Sequence, residues 1–177
     1  MPAFIDFQLS RKFPAEYDAV YFSVCSTSVE WRRENDLELL NVFYDTLLEN
    51  SAADPNEHTW EVFCMQAQLG CEFLKVAFLF LTPDVEASMA PNADQRKKEM
   101  VMALCERFKA MIEDWGCAKM GKGSVLEAFI ARDKAVPQPT RAEWAKEAKH
   151  LVPAKYLNGR DPSHYKRYMN KKQEALD

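Results

Sequence analysis

Glycine is scarce in this 177-residue chain, which has only five, at 70, 116, 121, 123 and 159. A doubly wound nucleotide-binding sheet spends glycine at its strand-to-helix turns, so the shortage argues for helical packing and against that architecture. Histidine is rarer still. His58, His150 and His164 show no H-x-x-x-H spacing, and the five cysteines (Cys25, Cys64, Cys71, Cys105, Cys117) show no C-x-x-C pair. The expectation is therefore no metal and no cofactor. An odd number of cysteines, mostly at apolar helical positions, reads as reduced core thiols and a cytoplasmic location. Met1 opens onto PAFIDFQLSRKF, which lacks a basic start and a long apolar run, so no signal peptide is expected. Residues 60–81 are long and apolar, but Glu61, Glu72 and Lys75 interrupt them at a cost that hydrocarbon would not tolerate. No membrane span is expected, and there is no internal repeat or low-complexity tract.

Residues 54–81, DPNEHTWEVFCMQAQLGCEFLKVAFLFL, are the densest apolar stretch. Trp60, Phe63, Cys64, Ala67, Cys71, Leu74, Phe78 and Leu81 recur at three- and four-residue steps, with Val62, Met65, Leu69, Phe73, Val76 and Phe80 on a second flank. That pattern predicts a central helix covered on two sides, starting from Asp54 and Pro55 with Glu57 completing a capping box. Thr27 with Glu30, Asn92 with Gln95, Ser124 with Glu127, and Thr140 with Glu143 mark four more helix starts, and Asp161-Pro162 opens a last one. Asn50 and Gly116 read as stops, and Pro83 and Pro91 as a loop. Residues 3–9 alternate, and residues 17–25 are aromatic and β-branched, which favours two strands.

The expected fold is mainly α, a compact bundle of about six helices around a central buried helix, with a short N-terminal β-hairpin. Residues 75–81, KVAFLFL, also suit a buried strand, which would give an α+β fold with a three-stranded sheet. Residues 1–153 form the acidic core and residues 154–177 a basic helical segment. From 141 to 177 there are nine Lys/Arg against five Asp/Glu, a net of +4, which leaves −8 for the first 140 residues of a chain whose total is −4.

Gly116 to Ser124, GCAKMGKGS, approaches the phosphate-cradling loop but has Gly123 where the magnesium-binding hydroxyl belongs. Lys119, Lys122 and Ser124 are the candidate anion-binding residues of that turn, at the N-terminus of the next helix. Cys25 and Arg32 are one residue too far apart for a cysteine-dependent phosphatase loop. No catalytic residue is assigned. The C-terminal segment is richer. Lys155, Arg160, Lys166, Arg167, Lys171 and Lys172 are interleaved with Tyr156, His164, Tyr165 and Tyr168, and cations with aromatic faces suit phosphates, unstacked bases or an acidic surface. The alternative for the same residues is a solvated amphipathic helix whose tyrosines pack on the body. The functional expectation is a non-enzymatic subunit or adaptor that binds nucleic acid, a protein partner or a second copy of itself through this segment. A small enzyme or regulator binding a phosphorylated ligand at the Gly116–Ser124 turn is the competing expectation.

Overall fold

A computed structural model describes residues 14–50, 54–79, 82–117 and 122–174. Its helices are α1 (Glu16–Ser26), α2 (Val29–Asn50), α3 (Trp60–Leu79), α4 (Thr82–Ser88), α5 (Gln95–Asp114), α6 (Val125–Lys134), α7 (Arg141–Ala148), α8 (Ala154–Leu157) and α9 (Ser163–Glu174). A short 3₁₀ turn at Lys149–Leu151 separates α7 from α8. The fold is mainly α, and there is no strand among the described residues.

α3 is the axis. Val62, Phe63, Cys64, Met65, Ala67 and Cys71 are completely buried, because α1, α5, α6, α7 and α8 all pack on it. Burying side chains such as Phe63, Met65 and Leu74 contributes roughly 1.5–3 kcal/mol each, which dominates over intrinsic helix propensity. α2 lies outside this layer against α1, α5 and α9. An aromatic cluster fastens it to the start of α3: the Tyr44 ring meets Trp60 and Phe63 edge-on at 5.3 and 5.2 Å, and its hydroxyl donates to the His58 carbonyl at 2.9 Å.

Several sequence expectations are corrected. Residues 17–25 are helical, since Ala19, Val20, Ser23 and Val24 recur at helical spacing and bury against α3. Packing here overrides a strand-like composition. The other arm of the expected hairpin, residues 3–9, lies outside the described residues. Residues 75–79 continue α3, so the three-stranded alternative loses its third strand there.

Helix starts also move. Asp54 closes a turn instead of capping α3: its carboxylate accepts from Asn56 N at 2.9 Å, and Thr59 takes over as cap by accepting from Val62 N at 3.4 Å. Ser28 caps α2 in place of Thr27, whose hydroxyl donates to the Ser23 carbonyl at 2.5 Å. Asp94 caps α5 in place of Asn92, and the expected loop after Thr82 holds α4. Ser124 and Thr140 cap α6 and α7 as their sequences indicate, Thr140 with the full reciprocal box. α2 ends at Asn50, and the turn after α5 passes through Gly116 at φ 64, a left-handed conformation that favours glycine.

Candidate functional site

The basic C-terminal segment lies on a row of polar residues along α2. Asp36, Asn41, Asp45 and Glu49 recur every four or five residues, so one helix face carries three carboxylates and an amide. Tyr156 in α8 is fully buried with its ring stacked on Trp115 at 3.7 Å, and its hydroxyl donates to Asp36 Oδ2 at 2.9 Å. Lys155 Nζ reaches the same oxygen at 3.0 Å. Burial, and then the Asp36 charge, push the Tyr156 phenol far above its ordinary range.

Asn41 is the hub of the crossing. Its amide nitrogen donates to the carbonyls of Leu37 and Gly159, both at 2.8 Å, while its oxygen accepts from Asp161 N at 2.8 Å and Arg160 Nη1 at 2.7 Å. Arg160 also pairs with Asp45 through Nη2, and its guanidinium lies over the rings of Tyr44 at 4.9 Å and Trp60 at 5.6 Å. Gly159 is required by proximity, since a Cβ there would sit 2.4 Å from Leu37 Cδ2 and 2.9 Å from the Lys155 carbonyl oxygen. Further along, the Tyr165 hydroxyl donates to Glu49.

The segment is thus divided. Lys155, Arg160 and Tyr165 face inward to α2. Arg167 is half-exposed but engaged along its own helix, donating to Ser163 Oγ at 2.7 Å and to Asp161 Oδ2 at 3.2 Å. It also lies 2.7 Å from His164 Nδ1, whose other ring nitrogen is 3.5 Å from Asp161. Bonds from Ser163, then from Arg167, hold the Asp161 carboxyl down to about 2. Lys166, Tyr168, Met169 and Lys171 are exposed. The Lys172 side chain lies outside the description.

At the glycine-rich turn, Lys119 falls outside the described residues, Lys122 is exposed and Ser124 is buried. Ser124 Oγ accepts from Glu127 N at 3.1 Å, and Glu127 Oε2 accepts from Gly123 N at 2.6 Å. The next two amides, Val125 N and Leu126 N, donate to the buried carboxylate of Glu72 at 3.1 and 2.9 Å. The anion at this helix N-terminus is therefore the chain's own, and an incoming phosphate would have to displace it. Burial raises the Glu72 carboxyl, and the two amides pull it back.

Sequence reasoning found the cations and missed their partners. The Asp36, Asn41, Asp45, Glu49 spacing on α2 was the available signal. A second cluster was also missed: Arg32 and Arg33, adjacent on α2, both bond Asp114 at the end of α5, at 2.6 and 3.1 Å. Among the described residues, no three His, Cys, Asp or Glu side chains gather as metal ligands, and no helix is long and apolar enough to cross a membrane.

The profile of the family described as uncharacterized oxidoreductase dhs-27 (DUF1679) matches residues 1–118, two-thirds of the chain. The chain belongs to this family. No curated protein and no solved structure matched it. The matched part of this DUF1679 member runs through α5 and includes the carboxylates of α2, whereas α6 to α9, with the basic segment, follow it.

Proposed function

We propose that the chain works through its surface, as a non-catalytic subunit or adaptor of a larger assembly, with the outer face of α9 docking on an acidic protein surface. One observation carries this reading: the inner face of the same segment already lies on a carboxylate-lined helix, with Lys155 on Asp36, Arg160 on Asp45 and Tyr165 on Glu49. Lys166, Tyr168 and Lys171 offer the same mixture of cations and aromatic outward. An acidic chain of net charge −4 favours a protein over nucleic acid as the target, since nucleic-acid domains are commonly basic throughout.

Fluorescence anisotropy with a labelled glutamate-rich helical peptide, and in parallel a single-stranded RNA of equal charge, tests this reading. The expected result is peptide binding that weakens with salt and is lost in K166E/K171E. Tighter binding of the RNA, lost in the same variant, would move the function to nucleic acid. Binding of neither would reject the surface.

The family description supports a second reading, in which this helical chain forms part of an oxidoreductase. Thermal shift with nicotinamide dinucleotides and flavins addresses it, because a ligand at a hundred times its dissociation constant adds about 2.7 kcal/mol of stability. A shift with any of them would favour this reading.

A further inference from the structure

Asp161, Ser163, His164 and Arg167 cluster at the start of α9, and one contact among them depends on a proton. Arg167 Nη2 lies 2.7 Å from His164 Nδ1. A guanidinium offers N–H donors and no acceptor, so Nδ1 must accept. The His164 ring is therefore neutral in this arrangement, and its proton sits on Nε2, the nitrogen 3.5 Å from Asp161 Oδ2. The neighbours are fixed in place. Asp161 Oδ1 accepts from Ser163 N at 2.9 Å, His164 N donates to the Asp161 carbonyl at 3.1 Å, and Arg167 Nη1 donates to Ser163 Oγ at 2.7 Å. α2 packs against α9, and the carboxylates it brings there are engaged by other groups, Asp45 by Arg160 and Glu49 by Tyr165.

We infer that His164 is a proton-operated latch on Arg167: the neutral ring ties this cation along its own helix, and the protonated ring frees it for the outer face of α9. The inference rests on the docking role proposed for that face and supplies its regulation. A proton on Nδ1 sets two N–H donors against each other at 2.7 Å with like charges behind them, so the contact breaks. The imidazolium then competes for Asp161 Oδ2, the oxygen that Arg167 Nη2 bonds at 3.2 Å. Asp161, whose carboxyl is held down to about 2, stays ionised throughout. Arg167 and Lys171 are four residues apart and share one stripe of the helix, so the freed guanidinium extends the cationic surface of Lys166 and Lys171. The inner contacts of Arg160 and Tyr165 do not pass through the ring.

Long-range proton–nitrogen NMR spectra of the labelled full chain, recorded from pH 8 to pH 5, the range in which histidines commonly change charge, read the ring and the guanidinium separately. At pH 8 the expected state has Nδ1 bare, the proton on Nε2, and Arg167 signals apart from those of solvated arginines. As pH falls, Nδ1 should gain a proton and the Arg167 signals should move to the solvated position with the same midpoint. A proton on Nδ1 at pH 8, or Arg167 signals that ignore the ring's titration, would overturn the latch. In parallel, anisotropy with a labelled aspartate-rich peptide, ionised across the range, should show about threefold tighter binding at pH 5.5 than at pH 8. His164→Asn offers Arg167 an amide oxygen that does not titrate, so its affinity should be flat with pH. A gain at acid pH that survives in His164→Asn would overturn the regulation. Peptide binding at neither pH would reject the docking surface alone, because the two NMR midpoints still decide the latch.

Discussion

The Tyr156 hydroxyl donates to Asp36 across 120 positions of sequence, at 2.9 Å, from a ring stacked on Trp115. Phenol and carboxylate are both buried, so each is the other's means of being dry without an unsatisfied polar atom. The relationship joins the C-terminal segment to both α2 and the end of α5.

Removing only the hydroxyl, in Tyr156→Phe, should cost about 1.5–3 kcal/mol, the range for a hydrogen bond to a charged group, with Lys155 still serving Asp36. Tyr156→Ala removes the stacked ring as well and should cost about 3–5 kcal/mol. Equilibrium urea unfolding reads both. The folded phenol is raised, so it keeps its proton when the unfolded one, near pH 10, loses it. Stability should be complete below about pH 10 and fall as pH rises beyond it, and the fall should be shallower in Tyr156→Phe.

Gly159 tests the closeness of the crossing. Its position leaves no room for a methyl group against Leu37 and the Lys155 carbonyl. Gly159→Ala should destabilise by about 1–3 kcal/mol, the usual range for overpacking, although alanine is ordinarily the easier residue to order. Pairing it with Leu37→Ala should recover part of the loss if the clash is the cause.

Glu72 is expected to matter through α6. Glu72→Ala leaves the Val125 and Leu126 amides without their acceptor, Val125 being fully buried, and should cost about 1–3 kcal/mol. Hydrogen exchange should quicken first at these two amides. Exchange unchanged there would mean that the carboxylate does not hold the helix start.

On the acid side, Asp114 is the group to follow. Burial alone would raise its carboxyl, but hydrogen bonds from Arg33 and then Arg32 outweigh it and leave it lowered. The stability it supplies is present above its unfolded value, about pH 4, and is lost as pH falls through the lower folded value. Urea midpoints measured from pH 7 to pH 2 should drop less steeply in Asp114→Asn than in the unaltered chain.

Most helices were legible because their apolar residues recur at the helical period and their caps follow a short local code. Residues 17–25 were misread because aromatic and β-branched composition outweighed the equally visible spacing of Val20 and Val24, whose burial depends on α3 some fifty residues away. The start of α3 slipped to Asp54 because two capping signals stand close together, at Asp54 and Thr59, and only packing chooses between them. For the basic segment, the charges were plain but their orientation was not. Lys155 and Arg160 look like Lys166 and Lys171 until α2 brings Asp36 and Asp45 against the first pair. Likewise Glu72 reads as an interruption in an apolar run, and only the fold shows it capping α6.

A double-mutant cycle across Arg160 and Asp45, measured by urea unfolding of the single variants Arg160→Ala and Asp45→Ala and of the double variant, asks most directly whether the basic segment is held on α2. A coupling of roughly 1–3 kcal/mol is expected for this part-buried pair. Losses that simply add, with no coupling, would contradict the docked segment and the division of its residues into an inner and an outer face.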